Sequence, residues 1–332
     1  MTAMLEDYDL DLERIVRWIK AGKFKTVGIQ LPEGLKIRHR DLSEAIEEAT
    51  GVLTVYITDP CFGACDLADE TMESLGIDAL VHFGHSPIGK RTKVPTLFEP
   101  LHSKVPMGDV VRKALPMLTS PVGILTTVQH LRAIDDVTAI LKEAGLKVYT
   151  AAGTRAKRVG QVLGCSYGAL HKIEGKVETF LFLGGGRFHP LGAALSTKKK
   201  VVAADPFMGT VEDMDQIKDR VLRQRYGLIS KAKYAHSFIV IVGTKSGQRR
   251  LALAKKLRKL LLDNLRSVQI VAMQAVTPEN LLGIDAEIFV STACPRVALD
   301  DCFKFEKPII TPPELEIALE ARTWEDYVLD EF

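Results

Sequence analysis

The chain has 332 residues, 46% hydrophobic and 26% charged, with 44 basic against 42 acidic side chains. This is the composition of a soluble globular protein long enough for two or three domains, and a net charge of +2 is no footprint of a dedicated nucleic-acid binder. No apolar run reaches the ~20 residues of a membrane span, and five cysteines behind the acidic start MTAMLEDYDLD favour reduced thiols in the cytoplasm over a secreted disulfide framework.

In chain order the first readable element is a helix. Leu12, Ile15, Val16 and Ile19 make one apolar stripe before Gly22 ends it. Beyond it, short β-rich runs alternate with helical stretches, the pattern of a parallel α/β sheet. Laid side by side, the runs form three series. The first is 25–35 (KTVGIQLPEGL), 53–59, 78–86 and 93–100. The second is 120–131, 146–152, 179–189 and 199–207; the third is 236–248, 266–272, 287–295 and 307–314. The order recurs at roughly 95–120 residues, far beyond the ~20–50 of a solenoid, so a tripled domain is expected. The predicted fold is α/β: three related small domains, 1–105, 106–215 and 216–332, in a pseudo-threefold arrangement. Each is a four-stranded, mostly parallel sheet flanked by helices.

Ligands gather at the carboxyl ends of such strands, and one cysteine of each series lies near that level. Cys65 follows the second strand of the first series, and Cys294 ends the third strand of the third. Cys165 is predicted in the helix after the second strand of the middle series. Three buried structural thiols would explain the cysteines equally well; three thiolates brought to one point would hold a metal. In DPCFGACDLADE, Asp66, Asp69 and Glu70 predict a helix whose amino end lowers the Cys65 pKa. Cys61, four residues earlier, is a competing ligand, but C-x3-C lacks the third nearby cysteine of ordinary radical S-adenosylmethionine enzymes. Cys302, in a polar connector, reads as a bystander.

Other polar residues sit at strand ends. These are Gln30 and Glu33, His82 and His85 around Gly84, and the run Gly184, Gly185 and Gly186, whose N–H groups are candidates to cradle a carboxylate. Arg296 is a candidate carboxylate fork or the partner of Asp300 or Asp301. The helix over 247–265 sets Leu253, Leu257, Leu260 and Leu261 against a basic side with Arg249, Arg250, Lys255, Lys256, Arg258 and Lys259. That side reads as a solvated face before a docking surface. The motifs of P-loop nucleotide binding, zinc proteases and serine hydrolases are absent.

Together DPCFGACDLAD, LGCSYG and STACPRVALDD followed by KPIITPPE resemble the archaeal type of 2-(3-amino-3-carboxypropyl)histidine synthase, through all three repeats. The resemblance implies that Cys65, Cys165 and Cys294 hold a [4Fe–4S] cluster with one open iron for S-adenosylmethionine, and that Cys61 is no ligand. It implies a radical transferase, cytoplasmic and homodimeric. It moves the 3-amino-3-carboxypropyl group to C2 of a histidine in translation elongation factor 2, releases methylthioadenosine and draws on an electron donor. Gln30, Gly63, His82, Gly184, Gly185, Arg296 and Asp300 are the candidate S-adenosylmethionine contacts by position. The competing readings are a quinolinate-synthase-like [4Fe–4S] dehydratase and a non-catalytic zinc-binding partner of a translation factor.

Overall fold

A computed structural model of the chain describes residues 7–332; the first six residues, which open the acidic stretch, lie outside the described residues. Strands β1 (Tyr8–Asp9) and β6 (His102–Ser103) pair as a small ribbon around the first unit. That unit holds β2 (Thr26–Gln30), β3 (Leu53–Ile57), β4 (Ala79–Phe83) and β5 (Thr96–Glu99). The second holds β7 (Val122–Thr126), β8 (Val148–Tyr149), β9 (Thr179–Leu183), β10 (Lys200–Asp205) and β11 (Thr210–Asp213). The third holds β12 (Ser237–Gly243), β13 (Ser267–Met273), β14 (Ile288–Ser291) and β15 (Ile309–Ile310).

The three sheets share one strand order: β3-β2-β4-β5, then β8-β7-β9-β10, then β13-β12-β14-β15. In each, the first strand of the unit lies between the second and third, and the fourth lies beyond the third. These neighbours all pair in parallel. The middle sheet departs from the predicted four strands, because β11 adds a fifth, antiparallel to β10. The turn between them explains it. Asp205 accepts from the N–H groups of Phe207 and Met208 at 2.9 and 3.1 Å, and Gly209 takes a positive φ of 62°, so the chain doubles back.

The first strands are buried on both faces because helices cover both sides. Val27 and Ile29 pack with Ile15, Ile19, Leu42 and Ile46 on one face of the first sheet, and Leu80 meets Met72 on the other. Helix Leu12–Gly22 supplies Ile15 and Ile19 as predicted, its amino end capped by Asp11, which accepts from Arg14 N–H at 2.8 Å.

Two expectations about helices change. Cys165 is not helical. Residues 150–167 form an irregular loop pinned by bridges Thr126 to Gln161, Ala152 to Val159 and Leu163 to Ser166, and the helix beyond is one turn, Gly168–His171. Glycines at 153, 160 and 164 disfavour a helix there, and Gly160 needs its φ of 76°. The basic helix is shorter than 247–265, running Leu251–Asp263 with Ala254, Leu257 and Leu261 buried. Arg249 and Arg250 precede it and pair instead with Glu70 and Asp330.

Helix Asp215–Tyr234 leads from the second unit to the third and carries the fully buried Arg225. Its guanidinium meets Glu314 through two bonds of 2.7 and 2.5 Å and donates to the carbonyls of Ala298 and Ile309 at 2.6 and 2.9 Å. Each guanidinium nitrogen there has an acceptor, which offsets the cost of burying the pair. No helix among the described residues is long and apolar enough to cross a membrane.

Candidate metal centre

The loop after β3 presents Cys65 through its own hydrogen bonds. Glu33 accepts from Cys61 N–H at 3.0 Å, Asp66 from Phe62 N–H at 2.8 Å, and Asp66 N–H donates to Gly63 O at 2.9 Å. Cys65 lies in the short 3-10 turn Ala64–Asp66, and the α-helix begins only at Asp69. It therefore lacks the helix amino end predicted to lower its pKa, and burial, with Asp66 beside it, pushes the thiol up to about 11.

The third unit reaches this loop with the segment after β12. Gly247 N–H donates to Cys65 O at 3.3 Å, and a Cβ at Gly247 would sit 2.5 Å from Cys65 Cα and Cβ, so only glycine fits. Gln248, buried, donates from Nε2 to Cys65 Sγ at 3.4 Å and accepts from Cys294 N–H at 3.3 Å. Lys245 pairs with Asp66 at 2.8 Å, and Lys90 donates to Ser246 O. Cys294 caps the short helix Pro295–Leu299 just past β14.

The second unit brings Cys165 to the same place. Arg155, whose charge acts on Cys165, donates to Gly247 O at 3.1 Å. Residues 329–332 close the far side. Phe332 N–H donates to Cys165 O at 2.8 Å, Glu331 accepts from Tyr167 N–H at 2.6 Å, and Asp330 takes a two-bonded pair from Arg250 at 2.7 and 2.8 Å. The Phe332 ring lies between the guanidiniums of Arg155 and Arg250, 5.1 and 4.4 Å from its centroid.

All three thiols are half-buried and act on one another. Burial, then the charge of Cys65, pushes Cys294 up to about 12, with Cys165 adding to it; Cys165 is raised by burial and eased by Arg155. Thiols held so close ionise only against a compensating cation. Thiolates on one zinc ion, 2.3 Å from it, stand about 3.8 Å apart. Among the described residues, the group of three Cys, His, Asp or Glu ligand atoms lying within 4.8 Å of one another is Cys61, His82 and His85, not the cysteine trio. Three wider-set sulfurs suit the iron–sulfur donor set better than a single zinc.

The remaining predicted residues divide. Gly63 stays at the centre: a Cβ added there would lie 3.4 Å from Cys65 Sγ. Arg296 lies over the Phe188 ring at 4.9 Å and pairs through Nε with Asp300 at 3.1 Å, so the ion pair weighed in the sequence is present. Gln30 and His82 are sealed inside. Gln30 donates to Asp66 O at 2.7 Å and accepts from Ala68 N–H at 3.1 Å and from His82 at 2.8 Å, so both side chains are tied to the loop that carries Cys65. The glycine run makes a turn, not a cradle: Gly184 N–H goes to Ala204 O, and Gly186 N–H to the Asp205 carboxylate, which would repel an anion beside Gly185. Cys302 bonds Gln224 and Leu299 O on another face of the third unit. His189 was not singled out in the sequence. Burial lowers it to about 4, and the charges of Arg296 and His85 act on it as well. Gly247 and Gln248 follow the end of β12, and no spacing in the sequence singles them out.

The family model of diphthamide synthesis proteins matches residues 31–328. The chain belongs to that family. The 2-(3-amino-3-carboxypropyl)histidine synthase of Pyrococcus horikoshii is 37% identical over 98% of this chain and 94% of its own length. The Methanocaldococcus jannaschii synthase is 28% identical over 94% and 90%, and subunit 1 of the Schizosaccharomyces pombe synthase 29% over 98% and 77%. The crystal structure of Dph2 from Pyrococcus horikoshii with a 4Fe-4S cluster superposes with a TM-score of 0.90 at 36% identity, covering 97% of this chain and 94% of that one.

Proposed function

We propose that this diphthamide-family chain transfers the 3-amino-3-carboxypropyl group of S-adenosylmethionine to C2 of a histidine imidazole in translation elongation factor 2. The observation that carries the reading is the meeting of Cys65, Cys165 and Cys294, one from each unit, in a family whose Pyrococcus relative holds a 4Fe-4S cluster. Cys65, Cys165 and Cys294 would hold the cluster, which supplies one electron to the sulfonium when bound. The net exchange breaks one C–S bond, forms one C–C bond and releases the C2 proton, with no net electron consumed.

This chain's own residues account for selectivity among three sulfonium bonds. Gln248 and Gly247 fix Cys65 and Cys294 relative to one another, and residues 329–332 fix Cys165, so the reacting sulfonium meets one geometry. Arg296, over the Phe188 ring and close enough for its charge to act on His189, is our candidate to hold the methionyl carboxylate, with Asp300 orienting its fork. Gly63 leaves the approach to Cys65 uncrowded. The paired chains of the archaeal type and a cytoplasmic setting complete the reading.

Anaerobic incubation with S-adenosylmethionine, dithionite and elongation factor 2 tests it. Methylthioadenosine and a modified histidine are expected, and replacing Cys165 by Ala abolishes both together with stable iron. Full iron and sulfide with normal turnover in that variant would refute the ligand assignment.

A further inference from the structure

A second set of metal-type donors lies beside the cysteine trio. Cys61 Sγ and one nitrogen each of His82 and His85 all fall within 4.8 Å of one another. Cys61 and His82 are buried, while half-buried His85 leaves a way in. Hydrogen bonds fix the protons. Ala68 N–H can only donate, so the Gln30 atom facing it is Oε1, and His82 Nδ1 must carry the hydrogen that the same oxygen accepts at 2.8 Å. His82 Nε2 therefore presents a lone pair, now taken by His85 Nδ1 at 2.9 Å. A metal-binding histidine has this same support: its other ring nitrogen donates to a fixed acceptor. The Asp66 carboxylate, with 2% of its side chain exposed and its Oδ1 paired with Lys245 at 2.8 Å, acts on both Cys61 and His85.

We propose that Cys61, His82 and His85 form a mononuclear site for a divalent cation of zinc type, separate from the cysteine trio. One thiolate with two imidazoles is a donor set suited to zinc or ferrous ion. Binding releases the Cys61 thiol proton, while the His85 proton moves from Nδ1 to Nε2, so both imidazoles stay neutral. With metal–nitrogen bonds of about 2.0–2.1 Å, tetrahedral nitrogens stand about 3.4 Å apart. The 2.9 Å histidine pair therefore opens by roughly half an ångström, which the loop carrying His85 allows. The ion ties Cys61 to the end of β4 and so steadies the loop that presents Cys65.

The test uses full-length chain in which Cys65, Cys165 and Cys294 are all replaced by Ser, titrated with Co2+ alone under argon. One equivalent should produce a thiolate-to-cobalt charge-transfer band with tetrahedral visible bands. Adding Cys61→Ser should remove the charge-transfer band, and Gln30→Leu should weaken binding roughly 10–100-fold. No thiolate band, or an equal band after Cys61→Ser, overturns the proposal. Should the triple variant precipitate, wild-type protein with its iron in place is titrated with zinc against a chromophoric chelator. One zinc per chain is expected, lost in Cys61→Ser with iron content unchanged; equal zinc in both proteins overturns it. Iron content reports separately on the cysteine trio.

Discussion

Gln248 does at the level of one side chain what no spacing rule describes: a single amide touches Cys65 Sγ and Cys294 N–H, joining two units. An N–H directed at a ligand sulfur stabilises the electron-rich state of an iron–sulfur centre. Gln248→Leu should therefore lower the midpoint potential, read by EPR-monitored titration, and speed loss of iron roughly tenfold. The candidate cysteines stand out in the sequence because thiols are scarce and recur at similar places in a repeated pattern. The Cys65 pKa was not, because it depends on where the α-helix starts and on how deeply the turn is buried. His189 and Gly247 were invisible for the same reason, since their roles arise from units that meet only in three dimensions.

Among the elements, helix Asp215–Tyr234 carries the most consequential side chain. Arg225 fastens to Glu314 and to the carbonyl of Ala298, in the helix that Cys294 caps. Glu314→Ala leaves a buried guanidinium without its anion and should cost about 3–5 kcal/mol in urea unfolding, with exposed Lys259→Ala as a near-neutral control. The strands were readable from apolar runs bounded by turn residues: β12 falls within the predicted limits, and β13 passes them by one residue. The edge strand β11 was not, because its pairing follows from the Asp205 turn and not from an apolar run.

Across the whole molecule, burial holds His85, His130 and His189 near a pKa of about 4, against 6.5 when unfolded. The unfolded chain then binds more protons between those values, so the stability these histidines contribute is present above pH 6.5 and is lost as pH falls toward 4. Thermal melts of the metal-free protein should show Tm falling through that window. Each histidine accounts for about 1.4 kcal/mol per pH unit; a flat Tm from pH 6.5 to 4 would contradict their burial as neutral rings. The shared strand order of the three sheets carries one more consequence. In the proposed cluster site no single unit, nor any two, supplies the full ligand set, because each would contribute one sulfur and the remainder would come from a hundred residues away. Iron uptake is thereby a proofreading step: a nascent or damaged chain with one module unravelled stays colourless, and pigment marks only molecules whose every part has come home.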